Sequence, residues 1–93
     1  MDNIDARRRR ALWRATHRGT KEMDWLLGRY VEAGLAAMSE DELAEVERAI
    51  GLPDPELQSW LMGGAVPSDE FAGLVARIRA FHGLGTATES VQA

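Results

Sequence analysis

Ionisable side chains flank a glycine in the stretch HRGTKEMDW, residues 17–25: His17 and Arg18 precede Gly19, and Glu22 follows it. Glu22 and His17 could act as an acid–base pair, because each exchanges a proton near neutral pH once its surroundings shift it. No nucleophile, phosphate-cradling glycine loop or pocket-forming length accompanies them, so an enzyme is the weakest reading. Metal binding is no better supported. His17 and His82 fall in different helices, without carboxylates at ligand spacing. The chain has no cysteine, which excludes disulfides, thiolate zinc sites and thiol catalysis. Binding suits the same residues better. Arginine offers a planar fork to carboxylates or carbonyls, and a glycine lets another surface approach the backbone closely.

The elements that would hold these residues are all helical. Residues 4–17 form a first amphipathic segment, with Ile4, Ala11, Leu12 and Ala15 on one side and Gly19 as the stop. Residues 20–33 form a second, whose Met23, Leu26, Leu27, Tyr30 and Val31 make an i, i+3, i+4 stripe. Ser39 and Glu42 predict a capping box opening a third, with Leu43, Val46, Ala49 and Ile50 buried. Asp54 and Pro55 open a fourth, the carboxylate as cap and proline at the first helical position. Leu57, Trp60 and Leu61 line that helix. Ser68 caps a fifth, carrying Phe71, Leu74, Val75, Ile78 and Phe81 to Gly83. The expected architecture is an all-α, single-domain five-helix bundle over residues 1–85, with residues 86–93 a flexible tail.

On a wheel of about 100° per residue, Glu22, Trp25 and Arg29 share the side of the second helix opposite its apolar stripe. Trp25 then faces outward as an interface anchor, or packs under the first helix or the tail. Arg18 and Glu22 are placed on the solvent side of the turn. Trp13 and Trp60 read as helix-packing residues.

Hydrophobic residues at 45% and charged residues at 28% of 93 describe an ordinary globular chain rather than a disordered one. No apolar run approaches a membrane span, and Asp2 and Asp5 interrupt any N-terminal transit pattern. The expectation is a cytoplasmic protein with no membrane insertion. Charge is uneven: residues 1–30 carry eight basic and four acidic side chains, residues 31–93 three and eleven. Arg7, Arg10 and Arg14 form a basic stripe on the first helix. The overall charge of −4 and the lack of a second basic face make nucleic acid a remote alternative.

Arg18-Gly19-x-x-Glu22, the DWLLGRY directly after it and DPELQSWLMGG further on stand in the order and spacing of the FAD assembly factor SdhE family. The chain resembles that family over about residues 6–82, and the combination is far more specific than the short motif alone. The bundle is expected to be a monomer, and the resemblance implies a five-helix fold and an assembly factor for the flavoprotein subunit of succinate dehydrogenase, with fumarate reductase as a second candidate client. It also implies no cofactor of the chain's own. The FAD belongs to the partner, which couples one of its histidines to the flavin, and the factor assists through proximity and orientation. Carried over, Gly19 allows close approach and Arg18 supplies the charged fork. Glu22 pairs with a partner cation or braces Arg18, and Trp25 and Arg14 enlarge the footprint. Many members have arginine where this chain has His17, whose charge depends on pH. A generic helical adaptor with a different partner is the alternative.

Overall fold

Five helices and no strand occur among the described residues, which in this computed structural model are 3–84. The expected tail at 86–93 lies outside them. Helix α1 (Ile4–Thr16) starts where the Asn3 side chain accepts the Asp5 N–H at 2.8 Å. It ends at Thr16, earlier than expected, with His17 as C-cap. Helix α2 covers residues 21–34 in three stretches: α-helical Lys21–Met23, a wider π turn at Asp24–Gly28, then α-helical Arg29–Gly34. Thr20 caps it, its hydroxyl accepting the Met23 N–H at 3.2 Å. A single 3₁₀ turn, Leu35–Ala37, comes next.

Helix α3 (Glu40–Ile50) opens with the full capping box: the Glu42 N–H reaches Ser39 Oγ at 3.1 Å, and the Ser39 N–H reaches Glu42 Oε1 at 3.0 Å. These bonds favour the ionised carboxylate and hold Glu42 below its ordinary pKa. Helix α4 (Asp54–Leu61) corrects the sequence reading. Pro53 occupies the cap position, Asp54 is the first helical residue, and no side chain caps the helix. Helix α5 (Asp69–Phe81) begins after Ser68, as expected, although the Ser68 side chain makes no capping bond.

The core is assembled from the predicted stripes. Ala11 and Ala15 of α1 meet Met23, Leu26, Leu27 and Val31 of α2, and α3, α4 and α5 close over them with Leu43, Val46, Leu57, Leu61, Leu74 and Ile78. No polar or charged residue is buried among those described. Three aromatic expectations change. Tyr30 is only half-buried, its ring edge-on to Phe81 at 5.8 Å. Phe81 itself is exposed, because the last turn of α5 runs past the core. Trp13, read as a packing residue, points outward, whereas Trp60 is buried against Phe71. The π turn explains Tyr30: five-residue closure underwinds α2 and rotates its later residues toward the rim.

The same π turn carries a close contact with α1. A Cβ on Gly28 would lie 3.1 Å from both the Ala15 carbonyl oxygen and Thr16 Cγ2. Glycine therefore lets the backbones of α1 and α2 touch one turn before the loop that joins them. Across the bundle, Arg7 of α1 holds Glu47 of α3 at 2.6 Å and Glu40 at 3.3 Å. The Glu47 bond raises the Arg7 pKa, and the reciprocal bond lowers that of Glu47. Arg7 is thus turned onto its own protein rather than standing in an open basic stripe.

Candidate functional site

The loop between α1 and α2 is short, exposed at Gly19 and tied down on both sides. Gly19 has φ +105°, a backbone region that L side chains rarely adopt, and a Cβ built on it would meet nothing within 4 Å. The left-handed conformation expected of it is present, but two residues beyond the cap of α1, so it shapes the loop rather than ending the helix. The conformation is fixed from its neighbours. The Arg18 N–H donates to Asp24 Oδ1 at 2.5 Å, joining the loop to the first turns of α2.

Arg18 overturns its expected placement. Its side chain is only 10% exposed and points into the protein. Nε donates to Asp54 Oδ1 at 2.7 Å, with Nη2 2.5 Å from the same oxygen. Nη2 also donates to the Leu52 carbonyl at 2.8 Å, and Nη1 donates to the Ile50 carbonyl. Those carbonyls lie at the end of α3, where the helix leaves acceptors unmet and its dipole is negative. One guanidinium therefore satisfies the end of α3 and the start of α4 from the loop that precedes α2. The planar fork makes this possible, and a lysine could not serve the same acceptors together.

Glu22 stays outside. It accepts a hydrogen bond from Gln58 Nε2 of α4 at 2.7 Å, so the bond seen is to α4 and not a brace across the turn to Arg18. Trp25 and Arg29 are exposed with it, as the wheel required. Trp25 is 46% exposed, and its inner face lies against His82 with ring centroids 4.1 Å apart. His82 Nε2 is 2.7 Å from the Leu26 carbonyl inside the π turn, and the end of α5 is thereby latched to α2. Trp25 thus faces outward as expected, and the residue it packs on is His82, not one of the first helix.

On the other side of the loop, Trp13, Arg14 and His17 line a shallow depression with Arg18, Pro53 and Asp54. Trp13 stacks on His17 at 4.2 Å and 11°, and His17 Nδ1 is 2.7 Å from the Trp13 carbonyl. The predicted residues thus fall in three places: Arg14, His17 and Arg18 around the depression, Glu22 at the α4 edge, and Trp25 at the end of α5, with Gly19 in the loop between. No bond joins Glu22 to His17 among the described residues. Sequence reasoning missed as site residues Trp13, which lies one turn before His17, and the partners Asp24, Asp54, Gln58 and His82.

Fold and site together define a small all-α domain whose distinctive feature is a rigid, outward loop flanked by aromatic and charged side chains. Residues 9–82 match the model of the family described as flavinator of succinate dehydrogenase, and the chain belongs to that family. It is similar to the FAD assembly factor SdhE of Acetobacter pasteurianus, 52% identical over 62 residues, which is 67% of this chain and 57% of that protein. The FAD assembly factor SdhE of Legionella pneumophila strain Paris is 33% identical over 79 residues, 85% of this chain and 96% of its own length. Succinate dehydrogenase assembly factor 2, mitochondrial, of Dictyostelium discoideum is 26% identical over 82 residues, 88% of this chain and 58% of that protein. The chain therefore spans little more than half of the Acetobacter and Dictyostelium relatives. No solved structure matches it. No helix among the described residues is long and apolar enough to cross a membrane.

Proposed function

We propose that this chain binds the flavoprotein subunit of succinate dehydrogenase and promotes covalent attachment of FAD to it, as an assembly factor and not as the catalyst. The observation that carries this reading is the Gly19 loop: open space above the glycine, a conformation held from both sides, and Glu22 exposed beside it. Such a loop offers backbone and a carboxylate to a partner without rearranging. Membership of the family over residues 9–82 supports the flavoprotein subunit as that partner. The chain assists by holding the flavoprotein so that its histidine and flavin meet in reactive geometry.

Within this reading the residue roles divide. Gly19 admits the partner's surface, Glu22 meets a partner cation, and Trp25 adds apolar contact. Arg18 acts as a positioning residue, through the loop it anchors. The factor works as a cytoplasmic monomer, acts on the FAD of its partner, and also serves the flavoprotein of fumarate reductase.

The test is co-expression with the flavoprotein subunit in cells lacking their own assembly factor, with covalent flavin read by in-gel fluorescence. Wild type restores the flavin band. Glu22→Ala, folded by circular dichroism, leaves it weak. An unflavinylated subunit beside the folded wild-type chain refutes the function, and a normal band with Glu22→Ala removes Glu22 from the docking surface.

A further inference from the structure

The outward face of α1 is unlike the rest of the molecule. Trp13 is 62% exposed, yet it is held rather than loose, because its indole lies flat on His17 and the imidazole Nδ1 is fixed against the Trp13 carbonyl and the Thr16 hydroxyl at 3.0 Å. Arg14 stands beside this stack, exposed at the rim of the depression. Glu47 is within electrostatic reach of Arg14, but among the described residues no carboxylate forms an ion pair with Arg9 or Arg14. Three other arginines of the vicinity are engaged. Arg7 is on Glu40 and Glu47, Arg8 on Asp5 and the Met38 carbonyl, and Arg18 on Asp54 and two carbonyls.

A held, exposed tryptophan beside an arginine is the composition of an interface hot spot. The field around it selects the occupant. Residues 1–30 are net positive and residues 31–93 strongly negative, so this face attracts acidic groups while the body of the protein repels a long polyanion. With Arg7 and Arg8 turned inward, too little basic surface remains to track a nucleic-acid backbone. A short acidic segment of a protein fits both conditions.

We propose that Trp13, stacked on His17, and Arg14 form a second contact surface on α1 that receives a carboxylate-bearing segment of the flavoprotein, beside the Gly19 loop. This rests on the flavoprotein being the partner. The arginine that meets the partner's carboxylate is then Arg14, while Arg18 stays bonded inside the protein. Trp13 supplies the apolar area and covers the ion pair from water.

Purified chain and apo-flavoprotein subunit test it by titration calorimetry at two salt concentrations, with covalent flavin measured in parallel. Trp13→Ala and Arg14→Glu should each weaken binding at least tenfold at unchanged melting temperature, since neither side chain is buried. Trp13→Phe should recover most of the affinity. Arg14→Glu should flatten the salt dependence, which loss of apolar packing alone would not do. Wild-type affinity in both Trp13→Ala and Arg14→Glu overturns the second surface and leaves the Gly19 loop as the docking site. A wild-type chain that does not bind the subunit overturns the flavoprotein reading and this surface with it. Equal weakening by Arg14→Glu and Arg14→Gln, with the salt slope unchanged, overturns the carboxylate assignment.

Discussion

Arg7 and Arg18 both reach from the first quarter of the chain to the α3 region, and they are held quite differently. Arg7 meets two carboxylates at the edge of the bundle, one of them well exposed. Arg18 meets a carboxylate and two backbone carbonyls with all three guanidinium nitrogens, 10% exposed. Surface ion pairs contribute little because water already solvates both charges. Removing a donor that serves three part-buried acceptors at once is costly because all of them lose it together. Of two similar-looking arginines, the one in the family motif carries the structure.

That contrast breaks first at Arg18. Arg18→Ala should cost about 3 kcal/mol in urea unfolding, because Asp54 and the end of α3 lose their donor. Arg18→Lys should recover only part of it. Arg18→Ala within about half a kcal/mol of wild type would make the two arginines equivalent after all. Next comes the helix crossing behind the loop: Gly28→Ala should cost about 1–3 kcal/mol, since the new methyl meets backbone and must push α1 away. Gly19→Ala sharpens the comparison further. It meets no atom, so its cost of about 1 kcal/mol is conformational alone. A Gly19 cost larger than that of Gly28 would mean that the loop has hidden contacts.

The smallest effect belongs to the Arg7 side. Its partner Glu47 has a pKa lowered chiefly by the Arg7 hydrogen bond. A carboxylate with a depressed folded pKa stabilises the protein above the ordinary carboxylate range, and that stability is lost as pH falls through the folded value. Glu47→Gln should therefore cost little near neutrality and make the acid limb of the stability–pH curve shallower. Melting curves between pH 7 and pH 3 would show this, and an unchanged acid limb would remove the pair from the account.

The helices are legible in sequence because their signals are local. Ser39 and Glu42 sit within one turn of each other, and the stripes of α2 and α5 repeat within their own helices. The site is legible only in part. Gly19 declares its backbone by its type, and Glu22 and Trp25 declare their face by spacing. Arg18 cannot be placed from spacing, because its acceptors lie more than thirty residues away and two of them are main-chain oxygens common to every residue. Asp54 misleads for the same reason. A carboxylate at the start of a helix is an ordinary cap until a distant guanidinium claims it.

The anchored Gly19 loop also bears on association kinetics. Arg18 and Asp24 fix this stretch when the chain folds, so the entropy of ordering it is lost before any encounter and not during one. A partner arriving at the loop does not wait for a search through backbone conformations. Its capture rate is then set by collision, orientation and the long-range pull of the positive end of the molecule. Raising the ionic strength should slow the arrival of an acidic partner more than it hastens its departure. Loosening the loop through Arg18 should slow capture at any salt concentration.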